Sequence, residues 1–123
     1  MKKTEQEKGT EQVLTNSSLQ LKAVADQSKI TVNVAGNPTT GYEWTVEDTQ
    51  SLKCVVSDYV ADPVDKEIVG AGGVYHFELI AKHPGTYTVD FKYARSWEEQ
   101  SAASFSIRAT INENLIITAM EIL

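Results

Sequence analysis

Apolar and polar residues alternate with a period of two along most of this chain, the mark of strands with one buried face. Leu19, Leu21 and Ala23 face one way, and Gln20 and Lys22 the other. After a turn at Asp26-Gln27-Ser28, Ile30, Val32 and Val34 alternate with Thr31 and Asn33. Tyr42, Trp44 and Val46 repeat the pattern, and Trp44 is assigned to the core because its neighbours in phase are apolar. Residues 52–59 read as a further strand, as do Tyr75, Phe77 and Leu79. The clearest alternation sets Tyr87, Val89, Phe91 and Tyr93 against Thr88, Asp90 and Lys92. Phe105, Ile107, Ala109 and Ile111 form the last strand of the series. No stretch between residues 19 and 112 makes a convincing helix.

Seven or eight short strands separated by turn signals call for an all-β, antiparallel sandwich or barrel. Gly85-Thr86-Tyr87-Thr88-Val89 tilts the choice. It matches the corner leading into strand F of an immunoglobulin-type domain, with Tyr87 two residues before the position that holds a cysteine in disulfide-bearing members. Cys54 is the only cysteine, so no internal disulfide is possible, and its place in a strand pattern makes it a structural thiol. The expectation is an immunoglobulin-like β-sandwich of residues 18–112 without a disulfide. Residues 1–17 are polar, with Val13 and Leu14 as the larger apolar side chains, and are expected to form a mobile arm. Residues 113–123 are apolar but too short to span a bilayer, and are read as either an extra strand or a short helix.

Composition narrows the function classes. A chain of 123 residues fits one domain, and a net charge of −6 argues against nucleic acid or anionic membrane as a partner. The first residues lack the apolar core of a secretory leader, so a cytoplasmic location is expected, or a secretory or lysosomal one if a leader has been removed. His76 and His83 stand apart from any cysteine or acidic cluster, and neither a metal nor a cofactor is expected. There is no nucleophile elbow, and Gly70-Ala71-Gly72-Gly73 lacks phosphate-loop spacing and precedes a strand. The chain is expected not to be an enzyme.

Three connections stand out instead. In Asn37-Pro38-Thr39-Thr40-Gly41-Tyr42, Pro38 fixes its own φ and restricts Asn37, while Gly41 admits a positive φ. The result is a rigid, uncharged tip that displays two threonine hydroxyls. Gly70-Ala71-Gly72-Gly73 keeps a second loop thin enough for another surface to approach its backbone. Arg95-Ser96-Trp97 follows the clearest strand, and an Arg and a Trp on one loop are typical of interface hot spots; the alternative is a Trp folded over the sandwich end with Arg95 stacked on it, and Arg95 can serve both roles. In an immunoglobulin-like sandwich all three connections open at one end.

Those three motifs, in this order and spacing, resemble the chagasin-type inhibitors of cysteine peptidases over roughly residues 19–112. The resemblance implies a tight, reversible inhibitor of papain-like, cathepsin-type cysteine proteases, a monomer on its own that binds its target 1:1. It implies that Thr39 and Thr40 sit over the catalytic cysteine–histidine pair, with Asn37, Pro38 and Gly41 shaping the tip. Gly70, Ala71, Gly72 and Gly73 would line one side of the cleft, and Arg95, Ser96 and Trp97 the other. The family's third motif usually has a proline where this chain has Ser96, which leaves that loop less constrained. The alternative reading of the same loops is an immunoglobulin-like adhesion or carbohydrate-binding module.

Overall fold

Nine strands organise the computed structural model of the chain, which describes residues 11–62 and 72–123. They are β1 (Gln12–Asn16), β2 (Leu21–Asp26), β3 (Lys29–Gly36), β4 (Tyr42–Glu47), β5 (Leu52–Ala61), β6 (Gly73–Ala81), β7 (Gly85–Arg95), β8 (Ala103–Ile111) and β9 (Ile117–Ile122). One sheet has the order β1-β2-β3-β6-β5 and the other β4-β7-β8-β9, and every pairing is antiparallel. The chain crosses between sheets after β3, β4 and β6. This is the immunoglobulin-like sandwich expected from the alternation.

The core lies between the sheets and is built from the in-phase residues of each strand. Ile30, Val32 and Val34 of β3 face Phe91 and Val89 of β7 and Ile107 of β8 across the interior, and all of these are fully buried. Every buried side chain among the described residues is apolar or aromatic. Trp44 is buried as expected, and its indole N–H donates to the Ala35 carbonyl at 2.9 Å, so the one polar atom of that ring is satisfied. Tyr87 closes the corner before β7 by donating its hydroxyl to the Pro84 carbonyl at 2.6 Å. Cys54 is half-buried, with its thiol on the Val56 carbonyl, and burial pushes its pKa up.

Two segments differ from the sequence reading. Residues 12–16, expected within a mobile arm, form β1, paired along its length with β2. Its signal is weak because it is an edge strand: Leu14 packs on the core while Val13 is half exposed. Residues 1–10 lie outside the described residues. The open question of the tail is answered by β9, which runs beside β8 and returns to pair Leu123 with Ser106. Ile117 and Met120, its buried residues, stand three apart, and the register shifts at Thr110/Ile111. That spacing imitates a helix, which is why alternation alone leaves the choice open. The two added strands bring the count to nine among the described residues, against seven or eight expected.

Candidate functional site

The sequence of the β3–β4 connection dictates its shape. Asn37 is extended (φ −145°, ψ 94°), as a residue before proline must be, and Pro38–Thr40 then make one 3₁₀ turn. The Asn37 carboxamide oxygen caps that turn, accepting from the Thr39 N–H at 3.1 Å and the Thr39 hydroxyl at 2.6 Å. The Thr40 hydroxyl donates to the Asn37 carbonyl at 2.8 Å, and the Gly41 N–H to the Pro38 carbonyl at 3.0 Å. Gly41 ends the turn at φ 88°, a left-handed conformation that glycine alone adopts cheaply. Pro38, Thr39 and Thr40 are exposed, as expected. Their surroundings refine one expectation: both threonine hydroxyls are spent as donors on Asn37, so the tip is stiffer and offers fewer free donors than its composition suggests.

The loop is anchored from below by aromatic rings. The Asn37 N–H donates to the Tyr93 hydroxyl at 2.9 Å, which ties the loop to β7 across the sandwich. Phe77, Phe91, Phe105, Trp44, Tyr93 and Tyr42 follow one another with ring centroids 4.6–5.4 Å apart, a column running from the core to the loop end. Tyr42 is only half buried, and Arg95, its partner in the β4–β7 ladder, lays its guanidinium over the Tyr42 ring, 4.4 Å from the centroid. The Trp97 ring is farther from that guanidinium, at 5.8 Å. The sequence pattern sets Arg95 beside Trp97 and puts Tyr42 in phase with the core residue Trp44. The ladder register, which no local pattern reveals, makes Tyr42 the nearer platform. Arg95 also donates to Glu98 at 3.2 Å.

Two glycines join the three connections. A Cβ on Gly41 would lie 2.8 Å from Cη2 of Trp97, so the indole edge rests directly on the threonine loop. A Cβ on Gly72 would lie 2.7 Å from the Gly36 carbonyl oxygen and 3.7 Å from Cβ of Asn37, so Gly72 rests against the same loop from the other side. The structure thus brings together Asn37, Pro38, Thr39, Thr40, Gly41, Gly72, Arg95, Ser96 and Trp97. Trp97 remains 69% exposed, the most exposed large apolar side chain among the described residues. Gly73 differs from expectation: it is buried as the first residue of β6, paired with Gly36 and Ala61, and so sets the position of the loop without offering a surface. Gly70 and Ala71 lie outside the described residues.

Among the described residues, this loop end holds no nucleophile with a placed base. It can present a rigid wedge with a neutral tip, a thin backbone on one flank and an aromatic–cationic face on the other. Comparison with known proteins points the same way. Residues 23–111 match the family described as chagasin family peptidase inhibitor I42. Amoebiasin-1 of Entamoeba histolytica is 40% identical over 62 residues, 50% of this chain and 60% of its own length. Chagasin of Trypanosoma cruzi is 34% identical over 80 residues, 60% of this chain and 71% of its own. Among solved structures, the cysteine protease inhibitor EhICP2 of Entamoeba histolytica superposes with a TM-score of 0.61 at 26% identity, over 68% of this chain and 78% of its own.

Proposed function

The chain belongs to the chagasin family of peptidase inhibitors, a family without enzymatic activity of its own, and from that premise we propose that it inhibits papain-like cysteine proteases by filling the active-site cleft. The observation that carries this reading is the meeting of three loops at one end, with Gly41 under Trp97 and Gly72 against Gly36. Thr39 and Thr40 enter over the catalytic cysteine–histidine pair. Gly72 lies along one wall of the cleft, and Arg95 with Trp97 packs on the other.

The geometry also explains why such a loop would block and not be cut. A protease binds its substrate as an extended strand, and the peptide bonds of Pro38–Thr40 are instead wound into a 3₁₀ turn. Opening that turn breaks the bonds from Gly41 to Pro38 and from Thr39 and Thr40 to Asn37. Because the loop is already ordered, little conformational entropy is lost on docking, which favours tight association. The complex is reversible and 1:1, formed by a monomeric inhibitor and burying about 800 Å² on each partner.

Titration of papain with the purified protein tests the reading. The expected result is loss of peptidase activity that reaches completion at an equimolar ratio and recovers on dilution. Full activity in the presence of micromolar protein would overturn it.

A further inference from the structure

A fourth connection reaches the same end of the sandwich and lies outside the 23–111 segment that the family shares. It is the turn at residues 17–20, which joins β1 to β2. Its position is fixed by the ladder, because Leu21 pairs with Val34 and the Ala35 N–H donates to the Gln20 carbonyl at 3.3 Å. The turn therefore stands beside the exit of β3, immediately below the threonine loop.

The turn is ordered by its own residues. The Asn16 carboxamide oxygen accepts from the Leu19 N–H at 3.2 Å, and the Gln20 N–H donates to the Ser17 carbonyl at 3.3 Å. Gln20 completes it in a left-handed conformation at φ 51°. Ser17, Ser18 and Gln20 are exposed, while Leu19 turns inward. Inward of Leu19 is an open recess of about 500 Å³ at the mouth of the two sheets. Leu19, Gly36, Trp44, Gly72, Tyr93 and Ala102 are among the residues that line it. None of the described residues that line it is charged, in a protein with a net charge of −6. Its walls are continuous with each of the three loops of the wedge.

We propose that the turn at residues 17–20 is a fourth contact element of the inhibitory edge, and that the recess behind it receives one uncharged, apolar side chain from the rim of the protease cleft. This rests on the wedge reading of the three loops. A wedge driven into a cleft brings its shoulders against the cleft's rims, and this turn is the shoulder next to the threonine loop. The lining sets the chemistry: an aliphatic or aromatic side chain is desolvated there against Trp44 and Leu19, whereas a charged one finds no ionic partner among the described residues that line it. Ser17 and Ser18 add exposed hydroxyls at the margin, the polar rim that surrounds a buried anchor.

The test compares inhibition of papain by the wild-type protein and by Ser18→Arg, Leu19→Asp and, at the far end of the sandwich, Lys82→Glu, with melting temperatures alongside. Ser18 is exposed and outside the core, so Ser18→Arg probes the contact without disturbing the fold. The expected result is inhibition weakened about tenfold or more by Ser18→Arg and by Leu19→Asp, and unchanged for Lys82→Glu. Inhibition by a folded Ser18→Arg variant equal to that of the wild type would overturn the proposal, whatever Leu19→Asp does, and would leave the three-loop wedge standing. Absence of inhibition by the wild type itself would instead sink the wedge reading, and this one with it.

Discussion

The two ends of the sandwich use the same turn chemistry and arrive at different surfaces. At the far end, Pro84 precedes Gly85 at φ 131°, and the Tyr87 hydroxyl closes on the Pro84 carbonyl. At the loop end, Pro38 is followed by Gly41 at φ 88°, and the Tyr93 hydroxyl closes on Asn37. A proline, a left-handed glycine and a tyrosine anchor therefore make a stiff connection at either end, and stiffness alone marks no site. Convergence separates them. The β6–β7 turn carries Lys82 and His83 into solvent, whereas the β3–β4 loop has Trp97 on one side and Gly72 on the other. The loop end also holds the bulky exposed side chain and the aromatic column beneath it.

The strongest test of that difference charges the tip. Arginines at Thr39 and Thr40 are expected to weaken inhibition about a hundredfold or more, while stability falls by about 1–2 kcal/mol through the two exposed hydroxyl bonds to Asn37 that are lost. Inhibition constants and thermal melts read the two effects separately, and a large stability loss would make the loop a structural turn only. Next come the matched glycines. Gly41→Ala and Gly85→Ala each force an L-residue into left-handed backbone against a ring, of Trp97 or Tyr87, and each is expected to cost about 1–3 kcal/mol. Only Gly41→Ala should also weaken inhibition beyond its effect on the folded fraction. Equal loss of inhibition in both would erase the distinction between the ends.

A finer contrast pairs Trp97 with Tyr87. Trp97→Ala should lose roughly tenfold in inhibition and under about 0.5 kcal/mol of stability, since the ring is mostly exposed. Tyr87→Phe should do the opposite, lowering stability by about 1 kcal/mol through the lost Pro84 bond with inhibition intact. The smallest expected effect lies on the outer face of the five-stranded sheet, away from both ends. There the hydrogen bond from His76, with Lys29 nearby, holds the Glu78 carboxyl below the usual carboxylate range. A depressed folded pKa means stability that is present above the unfolded value and lost as pH falls through the folded one. The melting temperature of Glu78→Gln should lie slightly below wild type at pH 7, and the gap should close as the solution is acidified. A gap that is constant with pH would show that the charge of Glu78 contributes nothing.

The core was legible because one face of the inner strands β2, β3, β6, β7 and β8 is predominantly apolar. Val89, Phe91 and Tyr93, or Ile30, Val32 and Val34, leave no other register that buries them together. Where pattern and geometry parted, the cause was a contact between strands. β1 is held by ladder bonds to β2 and a single leucine, so its sequence looks like a polar arm. β9 buries Ile117 and Met120 across a register shift, so its period is not two. At the loop end, Pro38 and Gly41 disclosed their backbone roles, since φ preferences are local. The second duty of Gly41, making room for Trp97, depends on a residue 56 positions away in sequence and has no local sign. The same holds for Tyr42, whose place under Arg95 follows from the β4–β7 register. His76 bridges Asn33 on β3 and Glu78 on its own strand, and the Asn33 contact across the ladder has no local sign.

The proline after Asn37 has a consequence for the lifetime of the loop. Asparagine ages when the backbone nitrogen of the next residue, having lost its proton, attacks the side-chain carboxamide and closes a succinimide ring that opens to aspartate or isoaspartate. The nitrogen of Pro38 has no hydrogen to lose and cannot become that nucleophile. The carboxamide that collects the Thr39 N–H and hydroxyl thus stands before the one residue type that closes this route to decay. A protein that waits long for its target keeps its tip in the chemical form in which it was made.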